Sequence, residues 1–352
     1  MVPCICESKV IRKIKELVVK RLLISVLLSL SVSCASDPKT HFDLESLTPK
    51  EKTDFAEAKV ILLGEQHDNP LHHQIQTEIL DTLGRQGRLK SVIFEQVDWE
   101  YQGALTQTNP NNVEKLGARL NWATSGWPAW EMYAPIFKTA TKYRAKLIAG
   151  GLPKNRVQAL YKNSYEIAFS AAEIERLKLR TPLDESAWAL MRTEIYEGHC
   201  KMIPEDHTEK MLPVQRARDG ALIKGYLREA DISGVTVFIL GNGHARKEFG
   251  VPTLLKNLDP KLKIWSVGMQ EVGSTPFPPQ AFDKVWVTQA AEREDPCEAM
   301  KKHMEGKATK PTVEGEEGKP EVSPTIPSTE PNSESPASDV QDSPAEEKSE
   351  EN

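Results

Sequence analysis

The sequence predicts an α/β fold: a mostly parallel sheet flanked by helices, with a smaller helical subdomain inserted. Three observations predict it. Six short runs are mostly apolar and lack regular polar alternation, which suits strands buried on both faces of a parallel sheet. The segments between the first of these runs repeat apolar residues at helical spacing, giving a β-α-β rhythm. One long stretch, residues 155–232, interrupts that rhythm with helix-rich sequence broken at Pro182, Pro204 and Pro213.

In chain order, the runs occupy residues 60–63, 92–94, 146–149, 235–240, 264–267 and 285–287. Between the first two, Leu71, Ile75, Ile79 and Leu83 fall on one helical face, and before the third Ala134, Phe137 and Ala140 do the same. Asp68 or Asn69 is placed to cap the helix after the first run, with Pro70 at its first position. His72 and His73 follow on that helix and are expected at its surface, one of them able to face a cleft.

The ends of the chain differ from its middle. Lys9, Arg12, Lys13, Lys15, Lys20 and Arg21 precede an uncharged, mostly apolar run of eleven residues at positions 22–32. That length suits a signal-peptide core and is too short to span a bilayer as a helix. Ser33 and Cys34 follow at once, so residues 1–33 are expected to be a signal peptide cleaved before a lipidated Cys34. The alternative is an ordinary signal peptide that contains a cysteine. The lipoprotein reading makes residues 34–56 a lipidated tether and lead-in, and places the protein in the cell envelope, anchored to a bacterial membrane. Residues 57–304 then form the folded domain.

The formal net charge of −6 is a property of the C-terminus. Residues 305–352 hold thirteen acidic and four basic side chains with seven prolines, so the remaining chain carries +3. Such a segment has too little apolar surface to offset ordering entropy and is expected to be a disordered acidic tail. The near-neutral remainder has no basic stripe interleaved with aromatics, which argues against a nucleic-acid surface. Once Cys4, Cys6 and Cys34 are set aside, Cys200 and Cys297 remain, able to pair in an oxidising compartment. No C-x-x-C occurs, so a zinc ribbon is not expected.

Polar chemistry collects where the apolar runs end. The first run leads into Gly64-Glu65-Gln66-His67, the second into Glu95-Gln96, the third into Gly150-Gly151 and the fourth into Gly241-Asn242-Gly243-His244. Ligands of open parallel sheets bind outside the carboxyl ends of the strands. Glu65, His67, Glu95 and His244 would meet there, as ligands of a divalent metal, as acid-base groups, or as a polar cluster holding loops together. Within the helical stretch, Gln215 shares a helix face with Arg218 or Asp219; by itself this reads as an exposed helix with local ion pairs.

Taken together, these segments resemble the ChaN-like haem-binding family. The resemblance rests on Gly64-Glu65-Gln66-His67-Asp68 with His72-His73, on Phe94-Glu95, and on Trp130-Glu131-Met132-Tyr133-Ala134-Pro135. It continues through His199-Cys200 to Pro204, Gln215-Arg216-Ala217-Arg218-Asp219, and Gly241-Asn242-Gly243-His244 with Gly250-Val251-Pro252. The ordered set spans roughly residues 57–290. The resemblance implies an envelope lipoprotein that binds haem for iron acquisition at a homodimer interface, with a tyrosine on iron and cations near the propionates. Candidate tyrosines are Tyr133, Tyr196 and Tyr165; His199 and Lys201 are candidate propionate partners, and Gln215, Arg218 and Asp219 further site members. The same superfamily resembles Tiki-type metalloproteases and erythromycin esterases in the strand-end Gly-x-x-His pattern. This keeps open a metal-dependent hydrolase using Glu65, His67, Glu95 and His244. No Gly-x-Ser-x-Gly elbow is present, so a serine hydrolase is disfavoured.

Overall fold

The computed structural model describes residues 38–302 apart from residues 163, 296 and 299. The expected signal peptide, Cys34 and nearly all of the acidic tail lie outside the described residues. Each apolar run in the sequence becomes a strand: β1 Val60–Glu65, β2 Leu89–Asp98, β3 Lys146–Gly151, β4 Val235–Gly241, β5 Ile264–Glu271 and β6 Lys284–Thr288. They form one sheet in the order β3-β2-β4-β1-β5-β6, and every neighbouring pair is parallel.

Helices cover both faces: α1 Pro49–Glu57, α2 Pro70–Arg85, α3 Trp130–Lys142, α4 Lys154–Lys162, α5 Ala171–Arg176, α6 Glu185–Gly198, α7 Glu205–Glu229 and α8 Val251–Leu258. Successive strand residues point to opposite faces, so each run feeds two cores. Ile61, Leu63, Val92, Phe94, Val237 and Ile239 pack against α2 and α3 through Ile75, Ile79, Leu83, Ile136 and Phe137. Val60, Leu62, Ile93, Ile148, Phe238 and Leu240 pack against α7 and α8 through Ala217, Leu222, Ile223, Leu254 and Leu255. A strand apolar on both sides is what this two-layer burial requires.

Local chemistry sets the helix starts. The Asn69 side chain accepts a hydrogen bond from the Leu71 amide at 2.9 Å, with Pro70 at the first turn of α2. Thr48 and Glu51 form a reciprocal capping box at α1. The expected lead-in is therefore part of the fold: Phe55 of α1 packs edge-on against Trp265, and Phe42 against Trp286.

The stretch between β3 and β4 is helical as expected, carrying α4 to α7. Part of it forms a small cluster of its own, with Ala187 and Met191 of α6 against Leu212 and Phe249. Pro213 does not break the chain as the sequence suggested. α7 runs through it, because the flanking Leu212 and Val214 are both buried and their packing outweighs one lost backbone bond. Cys200 and Cys297 form a disulfide with Cα atoms 5.4 Å apart, tying the end of α6 to the chain beyond β6. Among the described residues, no helix is long and apolar enough to cross a membrane.

The disulfide closes a loop of 97 residues. Replacing Cys297 by Ser is expected to lower unfolding free energy by about 2–5 kcal/mol. Denaturant titration with and without reductant checks this: reductant destabilises the parent protein and leaves the variant unchanged.

Candidate functional site

The loop after β1 turns to the α2 face and the loop after β4 to the α8 face. These two strands are neighbours at the centre of the sheet, so a crevice opens at their carboxyl ends, where such folds bind ligands. Glu65 ends β1, Glu95 lies near the end of β2, and Gly241 ends β4. Both carboxylates are buried, and each is met by its own set of donors.

Glu65 is the hub on the α2–α3 side. Its Oε1 accepts from the Tyr133 hydroxyl at 2.6 Å and from Gln96 Nε2 at 3.0 Å, and lies 2.9 Å from His67 Nδ1. Its Oε2 accepts from Gln76 Nε2 at 2.6 Å and lies 3.4 Å from His73 Nδ1. Burial pushes the Glu65 pKa up, but His73, His67 and Tyr133 outweigh it and hold the carboxyl below its usual value. His67 itself is raised: burial opposes its charge, and the hydrogen bond to Glu65 and the Glu95 charge prevail.

His72 and His73 are buried, which corrects the expectation of surface histidines. His72 Nδ1 accepts the Gln66 amide at 2.9 Å, and its other nitrogen meets Thr288 Oγ1 at 2.9 Å. That pattern needs the neutral ring, and burial lowers its pKa to about 4. His73 donates from Nε2 to the His67 carbonyl at 2.9 Å. Both therefore fasten the loop that carries His67.

Glu95 is the hub on the α7 side. Its Oε2 accepts the Gly241 amide at 2.7 Å, and its Oε1 faces Arg218 Nη2 at 2.5 Å and His244 Nε2 at 3.3 Å. His244 Nδ1 meets Asp219 Oδ1 at 2.6 Å, and the Gln215 amide lies 3.2 Å from the same nitrogen. Burial lowers the His244 pKa, yet the Glu95 and Asp219 charges dominate and push it to about 9. Burial pushes Glu95 up, and His244 and Arg218 bring it well below the usual range. Asp219 is held above its ordinary value by burial. Gly241 fits here because it lacks a side chain: a Cβ would sit 2.9 Å from His67 Nε2.

The sequence thus brought Glu65, His67, Glu95 and His244 to one edge, and Gln215, Arg218 and Asp219 join them. The exposed-helix expectation for the last three fails, since Asp219 is buried and all three reach the β2 and β4 ends. The metal reading gains no support from the structure. Among the described residues, no group of three or more His, Cys, Asp or Glu side chains is arranged to hold a metal ion. The reason is geometric: Glu65 and Glu95 belong to separate donor sets that already use both oxygens of each.

A cleft of about 570 Å³ opens beside Glu95. Val97, Leu120, Trp122, Trp127, Leu152 and Val157 supply its apolar wall. Tyr101, Asp98, Lys154 and Arg218 add the polar groups. The Tyr101 hydroxyl accepts from Asn121 Nδ2 at 3.1 Å, and Asn121 holds a left-handed backbone at φ 50°. The Trp127 ring meets His67 edge to face, centroids 4.8 Å apart.

The candidate tyrosines read from sequence stand elsewhere. Tyr133 is buried with its hydroxyl on Glu65 and its pKa raised by burial and by that carboxylate, and it does not line the cleft. Tyr165 is raised by burial. Tyr196, His199 and Lys201 lie at the end of α6 and none lines the cleft. His199 Nδ1 meets the Ile195 carbonyl at 2.7 Å, and Lys201 pairs with Glu197 at 3.0 Å. Sequence reading missed Tyr101, Trp127 and Lys154. The only available signal was a tryptophan- and glycine-containing segment, residues 122–127, with no helical or strand period.

Residues 53–255 match the family described as haem-binding uptake, Tiki superfamily, ChaN. The chain belongs to this family. Among solved structures it resembles ChaN of Campylobacter jejuni, described with cofacial haem binding, at 19% identity and a TM-score of 0.54. That likeness covers 71% of this chain and 96% of the Campylobacter one. The type III effector HopBA1 is more distant, at 12% identity and a TM-score of 0.40, covering 74% of this chain and 100% of that one. Among curated proteins no match is found. The ChaN family is one of haem binding and uptake, and the Campylobacter structure shares the α/β architecture described above.

The two raised and lowered histidines give this ChaN-family chain a stability maximum. His244, raised from 6.5 to about 9, contributes stability that is complete below about pH 6.5 and lost as pH rises through 9. His72, lowered to about 4, contributes stability present above pH 6.5 and lost as pH falls through 4. Each contribution is about 3 kcal/mol. Urea melts across pH 4–10 check this, and His244→Gln is expected to reduce the alkaline limb, of which His67 keeps a share, and to leave the His72 contribution to the acid limb unchanged.

Proposed function

We propose that this chain is a lipid-anchored envelope protein that binds haem in the cleft beside Glu95, with Tyr101 as the iron ligand. The observation that carries the reading is one aromatic-walled cleft holding a tyrosine hydroxyl and two cations. Its volume falls in the range of small-molecule and cofactor sites, about 300–1,000 Å³. Trp122, Trp127, Val97 and Leu152 offer apolar surface to a macrocycle, while Lys154 and Arg218 offer charge to its two propionates. Haem, when bound, brings ferric iron, which favours an anionic oxygen ligand.

Tyr101 suits that role because it lines the cleft together with both cations, and Asn121 holds its oxygen in place by donating to it. Lys154 reaches across to the Gly126 turn, its Nζ 3.3 Å from where a Cβ would stand there, so the cation sits over the cleft. The dimer belongs to the same reading. Cofacial haem, as described for the Campylobacter protein, needs two haem-bearing faces opposed, and a homodimer of this chain would oppose two such clefts. Lipidation at Cys34 would hold the protein at a membrane surface, and the disulfide fits an oxidising compartment.

Hemin titration followed by optical absorption is expected to give a saturable Soret shift with a tyrosinate-to-iron charge-transfer band. Tyr101→Phe is expected to remove that band and weaken binding at least tenfold, an order-of-magnitude expectation from the lost ligand. Tyr133→Phe keeps the band and costs about 1–3 kcal/mol of stability through the lost Glu65 hydrogen bond. A flat titration of the parent protein sinks the haem reading; a band that survives Tyr101→Phe sinks the ligand assignment. Metabolic labelling with palmitate, lost in Cys34→Ser, tests the anchor.

A further inference from the structure

The cationic end of the cleft rests on a line of charges that continues into the protein. Arg218 lines the cleft with its side chain about a third exposed, and its Nη2 lies on Glu95. Behind Glu95 stands His244, and behind His244 stands Asp219; neither lines the cleft. Along this row Asp219, His244, Glu95 and Arg218 alternate in sign. With His244 protonated the row is neutral. With His244 uncharged it carries −1, and Arg218 no longer balances the two buried carboxylates.

Resting on the haem reading above, we infer that His244 is a positioning residue: by sharing Glu95 with Arg218, it leaves the guanidinium able to receive a carboxylate, so that the cleft selects a porphyrin with free propionates. Two details support this. Glu95 Oε2 is fixed by the Gly241 amide, so Oε1 alone is divided between Arg218 and His244. Arg218 has five N–H donors, of which the protein engages one on Glu95, leaving the rest for an anion at the cleft. Remove the His244 charge, and Glu95 returns its full charge to Arg218 while Asp219, left with Arg216 as its cation, adds repulsion. The other charges nearby do not replace it. Asp98 and Lys154 face the cleft with opposite signs, His67 is hydrogen-bonded to Glu65 and reaches Glu95 only through its charge, and Arg216, which acts on Asp219, is bonded to the Leu179 and Lys178 carbonyls.

The test compares hemin with hemin dimethyl ester, which keeps the iron and the ring and loses both anionic groups. Soret titrations use the full chain in detergent. The parent protein is expected to prefer hemin by about tenfold or more, one good charge-assisted contact being worth that much. Arg218→Gln and His244→Gln should each abolish most of that preference while leaving ester affinity within about threefold. The double variant Asp219→Asn/His244→Gln restores neutrality to the row and should recover the preference, which a purely structural role for His244 would not produce. If His244→Gln fails to fold, Arg218→Gln still decides: a preference unchanged in that variant overturns the inference. A folded His244→Gln protein that keeps the parent preference also overturns it while leaving haem binding intact. A parent protein that binds neither porphyrin overturns the haem reading and this inference together.

Discussion

Two ionised carboxylates buried at the carboxyl edge of the sheet govern how the rest of the molecule is assembled. An uncompensated buried charge costs several kcal/mol, so Glu65 and Glu95 oblige distant segments to bring donors to them. α2 delivers Gln76 and His73 to Glu65, and α3 delivers Tyr133. α7 delivers Arg218 to Glu95, and the turn after β4 delivers His244 and the Gly241 amide. Apolar packing brings these helices onto the sheet. The carboxylates fix how they sit along it, because a register shift of one turn would strand a charge.

His67 joins the two systems. Its ring hydrogen-bonds Glu65 and feels the Glu95 charge, while Trp127 packs on its edge. The rigid polar floor thereby meets the aromatic wall of the cleft at one residue. The division of labour is physical: strand ends and helices supply fixed charges, and the segment between β2 and α3 supplies the apolar surface that a flat hydrophobic ligand needs. A site built this way keeps its electrostatics while the loop wall is free to vary.

Much of this could be read from the chain alone, for identifiable reasons. The strands were legible because burial on both faces removes polar alternation, leaving runs such as residues 60–63 and 235–240 unbroken. The strand-end residues Glu65, His67, Glu95 and His244 were legible because a parallel sheet delivers all its carboxyl ends to one edge. What stayed hidden depended on distance or on irregular backbone. His72 is covered by the end of β6, more than 200 positions away, and His73 by Tyr133 of α3, so periodicity could not mark them as buried. Tyr101 and Trp127 reach the cleft from short turns with no period. The tyrosine in the family-like motif, Tyr133, has its hydroxyl on Glu65, a contact that spacing could not show, since a motif does not say which way a hydroxyl points.

The pairing of Cys200 with Cys297 bears on when the protein is finished. Beyond β6, Gln289, Ala291 and Arg293 are held by Asn69 and Glu271 through polar contacts alone, and the covalent closure comes only at the disulfide. Thiols stay separate in reducing compartments and join in oxidising ones. A reduced chain therefore carries its outermost strand on reversible ties, and oxidation adds a covalent latch that sets the edge of the sheet.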